Sequence, residues 1–156
     1  MDAVLQVEVV IEIPRGSFIK RDSSGRLDFV SPVPCPFNYG SVDAYIGSDG
    51  APLDAVVLGP RIRRDTHITI PVIGAVRIID CGMIDDKLIC SDTPVGTLKR
   101  TLILLFFEFY AKCKGLINLC RGDSWRNRCA GWLEAKEAIE RAKINEKASR
   151  IAPGCK

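Results

Sequence analysis

The sequence predicts an α+β fold that is mainly β: a small closed β-barrel with two helices flanking it at the C-terminal end. Three observations carry this prediction. Short Val/Ile-rich or alternating segments fill the first two thirds of the chain. No long helical pattern separates them, which disfavours a parallel doubly wound sheet because parallel strands need such crossovers. The last third changes to apolar residues spaced three and four apart, the period of a helix.

The elements follow in order. In "LQVEVVIEI", Val7, Val9, Ile11 and Ile13 alternate with Gln6, Glu8, Val10 and Glu12, the pattern of a half-buried strand that Pro14 and Gly16 end. "SFIKRD" and "RLDFV" form two short strands around the turn "SSG". "VSPVPCPFNYG" holds three prolines and a glycine and reads as an ordered, irregular loop. "LDAVVLG", "HITIPVIGAVRIID" and "DKLICS" are again strands. From Thr97 to Cys113, Leu98, Leu102, Leu105, Phe106 and Phe109 mark the apolar face of an amphipathic helix, with Thr93-Pro94 before it and Gly115 as its exit. "GWLEAKEAIERAKINEKASRI" predicts a second helix with Trp132, Ala135, Ile139 and Ala142 on one face. The expectation is one domain over residues 1–156, with 145–156 as a flexible tail.

Composition narrows the function classes. The 156 residues are 47% hydrophobic and 26% charged, which suits a packed core and argues against disorder. A net charge of +3, with no block of five Lys or Arg, gives no footprint for nucleic acid. The segment "MDAVLQVEVVIEIP" lacks the basic start and long apolar core of a signal peptide, and Leu102 to Phe107 is too short to cross a membrane. Seven cysteines form an odd set with no CxxC, and His67 is the only histidine. Neither a disulfide framework nor a zinc site is expected. The expectation from these features is a soluble, cytoplasmic protein with reduced thiols.

The acidic residues carry the chemistry. Asp49 and Asp54 bracket one turn and Asp80 and Asp85 another, each pair five residues apart with glycine nearby; Asp86 follows. If both turns reach the same mouth, like charges raise one another's pKa, and a hard divalent cation relieves that cost. Mg²⁺ accepts oxygen ligands and leaves positions for water and phosphate. Lys20 and Tyr39 precede these acids in the sequence and Lys87 follows Asp86, and ammonium groups suit phosphate.

Several segments together resemble the soluble family I inorganic pyrophosphatases: "VVIEIPRGSFIK", "PFNYG", "DGAPLDAVVLGP", "VIGAVRIIDCGMIDDKL" and "FFEFY", in that family's order and approximate spacing. The resemblance runs from about Val7 to Tyr110 and includes the C-terminal helix. It implies an OB-like barrel, a homo-oligomer (hexameric in most bacterial members) and Mg²⁺-dependent hydrolysis of diphosphate to two phosphates, with Mn²⁺ as an alternative metal. It also implies roles. Asp49, Asp54, Asp80 and Asp85 match metal-binding acids, and Glu12 a glutamate that orients water on the metal. Lys20, Tyr39, Lys87 and Tyr110 match groups that contact phosphate.

The departures cluster at the same site. Ala51 stands where the family has the aspartate proposed as general base, and a methyl accepts no proton. Water would then lose its proton to Asp54, to Asp85 or directly to solvent, which leaves Asp54 and Asp85 as the candidate catalytic residues. Cys81 replaces a glutamate, Cys35 a tyrosine, Asp22 a glutamate and Ala111 a lysine, although Lys112 lies one residue further on. A phosphate-binding arginine has no clear counterpart, with Arg15 and Arg26 the nearest candidates. Two alternatives to slow diphosphate hydrolysis follow: a pyrophosphatase-fold enzyme for another phosphorylated substrate, for which Ala51, Cys35, Cys81 and Ala111 would widen the pocket, or a non-catalytic binding protein on the same scaffold.

Overall fold

The computed structural model describes residues 4–21, 26–30, 33–48, 50–80, 82–120, 122 and 127–144. Asp22, Asp49, Cys81 and the expected tail at 145–156 lie outside them. In chain order the elements are β1 (Gln6–Ile13), β2 (Ile19–Arg21), β3 (Leu27–Val30), β4 (Asn38–Ile46), β5 (Pro52–Val57), β6 (His67–Asp80), β7 (Met83–Cys90), α1 (Thr97–Cys120), β8 (Arg128–Leu133), α2 (Ala135–Arg141) and β9 (Lys143–Ile144).

Five strands close on themselves in the order β1-β4-β5-β7-β6, and β6 pairs back to β1. All of these pairings are antiparallel except β5 with β7. β8 extends the sheet beside β6, β9 pairs with β4, and β2 with β3 forms a separate two-stranded ribbon. This ring-like closed sheet with two C-terminal helices is the expected architecture.

Strand alternation divides the apolar residues into two clusters. Val7, Val9 and Ile11 of β1 meet Val42 of β4, Leu53, Ala55 and Val57 of β5, Ile70, Val72 and Ala75 of β6, and Leu88 and Cys90 of β7. All five ring strands contribute, so this cluster fills the ring. Ala138 of α2 is buried against it, with Ala135, Ile139 and Ala142 alongside as their spacing predicts. The intervening residues Val56, Val76, Ile78 and Ile89 point the other way and pack against Ile103 and Phe107 of α1. Burying an Ile or Phe side chain of this kind contributes roughly 2–3 kcal/mol.

The strands β1, β5, β6 and β7 lie where alternation and Val/Ile content place them. Four expectations are corrected. Residues 38–40 of the expected loop begin strand β4, because Asn38 anchors its start and Gly40 lets it lie against β1. A Cβ at Gly40 would stand 2.1 Å from the Val10 carbonyl oxygen. Helix α1 runs through Gly115 to Cys120. Its buried face is Ile103, Phe107 and Ala111, whereas Leu98, Leu102, Leu105 and Phe109 are exposed, from 52% to 76%. The helix therefore has two apolar faces, and the spacing selected the outer one. Finally, Trp132 belongs to β8 and α2 has only seven residues. Gly131 adopts φ +111°, a left-handed conformation that breaks a helix, and the Trp132 indole covers Gly74 of β6.

Candidate active site

The register of two parallel strands builds the centre of the site. Asp54 of β5 is the direct partner of Lys87 of β7. Both project from the face that carries Val56 and Ile89, and Asp85, two residues before Lys87, shares that face. The Lys87 ammonium donates to Asp54 and, at 2.7 Å, to Asp85 Oδ2. Tyr39 of β4 pairs with Val56, so its ring stands on the same face, 5.8 Å from Lys87 Nζ. Asp80, at the end of β6, keeps the parity of Val76 and Ile78 and receives a hydrogen bond from Lys114 of α1.

Alternation sends Asp86 the opposite way. It lies on the inward side of β7 and takes a bidentate pair from Arg77 Nε and Nη2, 2.8 Å each. This ion pair is structural, so Asp86 contributes to the fold while its neighbour Asp85 faces the site.

Electrostatics follow from this packing. Burial raises the Asp85 carboxyl, an effect that Lys87 partly offsets. Burial pulls Lys87 down, but Tyr39, Asp54 and Asp85 outweigh it and hold the ammonium well above its usual value. Burial first, then Asp54, pushes the Tyr39 phenol well up, so it is a hydrogen-bond donor at neutral pH. The Lys114 ammonium loses to burial and gains more from Asp80. Burial also raises the Cys35 thiol, which keeps it protonated rather than nucleophilic.

The other expected residues are placed as follows. Glu12 is half-buried and occupies a β-bulge: Ile11 pairs with Gly40 and Ile13 with Tyr39, leaving Glu12 as the extra residue. Bulges re-aim side chains in this way. Lys20 lies on β2, opposite Phe29. Tyr110 is half-buried on α1 and stacks on Phe106 with ring centroids 6.4 Å apart. Ala51 is exposed in a loop closed by Gly47 N–H donating to the Ala51 carbonyl at 2.8 Å. Asp49 of that loop lies outside the described residues. A cleft of about 370 Å³ separates this loop from α2, lined by Gly47, Ser48, Asp54, Asp85, Arg141 and the Arg77-paired Asp86 among others.

Three residues have functions that spacing did not reveal. Buried Asn38 accepts from the Arg15 and Ile62 N–H groups at 3.0 and 2.8 Å and donates to the Val57 and Pro60 carbonyls, so the Asn of "FNYG" is a latch between segments. Arg15 donates its guanidinium to the Gly59 carbonyl at 3.0 Å and is thereby tied to the fold. Lys112 is exposed and lies 3.4 Å from Glu108, while Lys114 reaches Asp80.

Do these residues suit a divalent metal? Among the described residues no three His, Cys, Asp or Glu converge as a protein-only cage. Asp54 and Asp85 nevertheless converge on one ammonium, which marks a point whose field favours a cation. The donors are hard oxygens, and Mg²⁺ needs only one or two carboxylates when water and phosphate complete its shell. The donor set fits.

The profile of the inorganic pyrophosphatase family matches residues 9–144. The chain belongs to the inorganic pyrophosphatase family. The inorganic pyrophosphatase of Corynebacterium glutamicum is 34% identical over 158 residues, covering 89% of this chain and 99% of the relative. The solved inorganic pyrophosphatase of Coxiella burnetii shares the fold with a TM-score of 0.71 at 21% identity, covering 90% of this chain and 92% of the other. That of Helicobacter pylori has a TM-score of 0.67 at 26% identity, covering 90% and 91%. On this family's scaffold, the strand-borne group of Asp54, Asp85, Lys87 and Tyr39 occupies the face beneath α1 of this pyrophosphatase.

Proposed function

We propose that this member of the pyrophosphatase family hydrolyses inorganic diphosphate to two phosphates with Mg²⁺, with Mn²⁺ as a substitute. The observation that carries the reading is the Lys87 ammonium bridging Asp54 and Asp85 across the β5–β7 register. Asp49, Asp54, Asp80 and Asp85 would hold the metal, with Glu12 orienting water. When bound, the metal supplies positive charge to the phosphate oxygens and acidifies the attacking water. Lys20 and Lys87 pair with phosphate oxygens, and the Tyr39 and Tyr110 hydroxyls donate to them. Water attacks one phosphorus, the bridging P–O bond breaks, and the second phosphate leaves with that oxygen. Position 51 offers no base, so the water's proton passes to Asp54, to Asp85 or directly to solvent, and turnover is slow. Phosphate release from diphosphate in millimolar Mg²⁺, abolished by EDTA and restored by added Mg²⁺, is the expected result. Release that persists in EDTA would count against the metal, and no release at any divalent metal would favour a binding protein.

Assembly as a homo-oligomer and cytoplasmic location belong to the same proposal. The exposed stripe Leu98, Leu102, Leu105, Phe109 and Leu116 on α1 supports assembly, since a helix with two apolar faces buries both. Five free thiols among the described residues suit a reducing compartment. No helix among the described residues is long and apolar enough to cross a membrane.

A second reading has its own observation. A hollow of about 560 Å³ adjoins the site, and its walls include Ile19, Cys35, Phe37 and Phe106 as well as Tyr39 and Tyr110. Inorganic diphosphate makes no use of apolar walls, whereas an organic diphosphate would place its substituent there. Of the four small residues expected to widen the pocket, Cys35 lines this hollow; Ala111 is buried and Ala51 exposed elsewhere. Higher kcat/KM for an alkyl or aryl diphosphate than for diphosphate, reversed by Cys35→Trp, would establish this reading. Equal or lower values with the organic substrate would remove it.

A further inference from the structure

Helix α1 delivers a cation to the acidic mouth from Lys114, which stands in the basic stretch Lys112, Lys114, Arg121, Arg126 and Arg128 that follows Ala111 in the sequence. Tyr110 and Lys114 are four residues apart, so they share one face of the helix, while Ala111 beside them is buried. Side chains on a helix lean toward its N-terminus, so a long lysine one turn later covers the ground above the preceding turn. Lys114 does this, and its ammonium reaches Asp80 at the end of β6. Lys112, two residues earlier, points away and is 74% exposed beside Glu108.

Lys87 and Lys114 differ in availability. The Lys87 side chain is 6% exposed and held between two carboxylates. Lys114 is 38% exposed and is paired with one carboxylate. An ammonium has three donors, so Lys114 can keep Asp80 and still address an oxygen anion in the mouth. Ala111 is buried and carries no charge, so the helix offers the mouth no ammonium from that position.

We infer that Lys114 is a substrate-binding residue: it contacts a phosphate of the diphosphate and supplies from one helical turn further on the positive charge that Ala111 lacks. The inference rests on the diphosphate reading above. It makes position 114, rather than 112, the helix-borne determinant of phosphate affinity.

The test measures two quantities, KM for diphosphate and the Kd of a non-hydrolysable methylenediphosphonate, both in Mg²⁺. Lys114→Met should weaken both by about 10- to 100-fold, the value of one charge-assisted contact. Lys114→Arg should recover most of the loss, and Lys112→Met should change neither. Melting temperature monitors folding of each variant. Unchanged KM and Kd in a folded Lys114→Met protein would overturn the inference and leave Lys114 as a structural partner of Asp80. If the wild-type protein shows no turnover, the diphosphate-hydrolysis reading fails, and Kd still decides the role of Lys114. If it binds no methylenediphosphonate, the inference fails with it.

Discussion

The two sides of the mouth are built differently. Asp54, Asp85, Lys87 and Tyr39 stand on strands of the closed ring, in fixed register, beneath a packed helix. Ala51 stands in a surface loop, and Lys114 on the half-exposed part of a helix. The resemblance assigns roles to all four strand-borne groups, and it marks departures at 51 on the loop and 111 on the helix. Ring strands pack on both faces, so a change in register or parity would reverse a whole set of side chains. A loop residue or a long helical side chain can be replaced without moving that core. Packing and register thus fix the strand-borne groups, whereas the loop and the helix end hold theirs without the ring.

Substitutions can break or sharpen this contrast. The largest effect is expected on the strand side. Lys87→Met leaves Asp54 and Asp85 facing each other without their shared cation, and should lower kcat for diphosphate by about 10³-fold. It should also lower stability by roughly 3 kcal/mol, measured by urea unfolding. A variant with kcat within threefold of wild type would show that the bridge is only structural.

Arg77→Met should come next and act on stability alone. It strands Asp86, which is 4% exposed, and should cost about 3 kcal/mol with the KM for diphosphate unchanged. Because Asp85 and Asp86 are adjacent, this variant tests whether strand parity separates function from fold. On the loop side, Ala51→Asp should raise kcat by about 10²-fold by restoring a proton acceptor. No change would show that the loop does not lie over the reacting water.

The smallest effect on activity is expected from the outer face of α1. Leu102→Glu with Leu105→Glu should shift sedimentation toward the monomer while a monomeric chain retains most of its secondary structure by circular dichroism. An unaltered sedimentation coefficient would show that this stripe is not the contact between copies.

Much of this was legible in the sequence, for physical reasons. Val7, Val9, Ile11 and Ile13 announce β1 because one of its faces is buried and the other is not. β4 was hidden: the prolines before it signal a loop, and its buried small residues Gly40 and Ser41 do not alternate as apolar and polar. β8 was hidden because Trp132, Ala135 and Ile139 happen to fit a helical spacing, although Gly131 was an available warning. For α1 the period was right and the face was wrong, because both faces are apolar and spacing cannot say which one meets the ring.

For the candidate site, the spacing of the acids suggested a cation and the resemblance supplied the individual roles. Asp54 and Lys87 are 33 residues apart, and nothing in spacing foretells their pairing across parallel strands. Lys114 stands in a basic stretch that the sequence shows, but only its four-residue offset from Tyr110 on the inward side of α1 separates it from Lys112. Asn38 and Arg15 needed the structure, since their partners are backbone groups of a distant loop.

The account stands on metal-dependent cleavage of diphosphate by the strand-borne acids. The most direct test is phosphate release from diphosphate in millimolar Mg²⁺ by the wild-type chain and by Asp54→Ala, expressed and purified in parallel. The account predicts slow, saturable release by the wild type and at least a hundredfold less by Asp54→Ala, with both proteins folded. Equal release by the two, or none by the wild type, would contradict it.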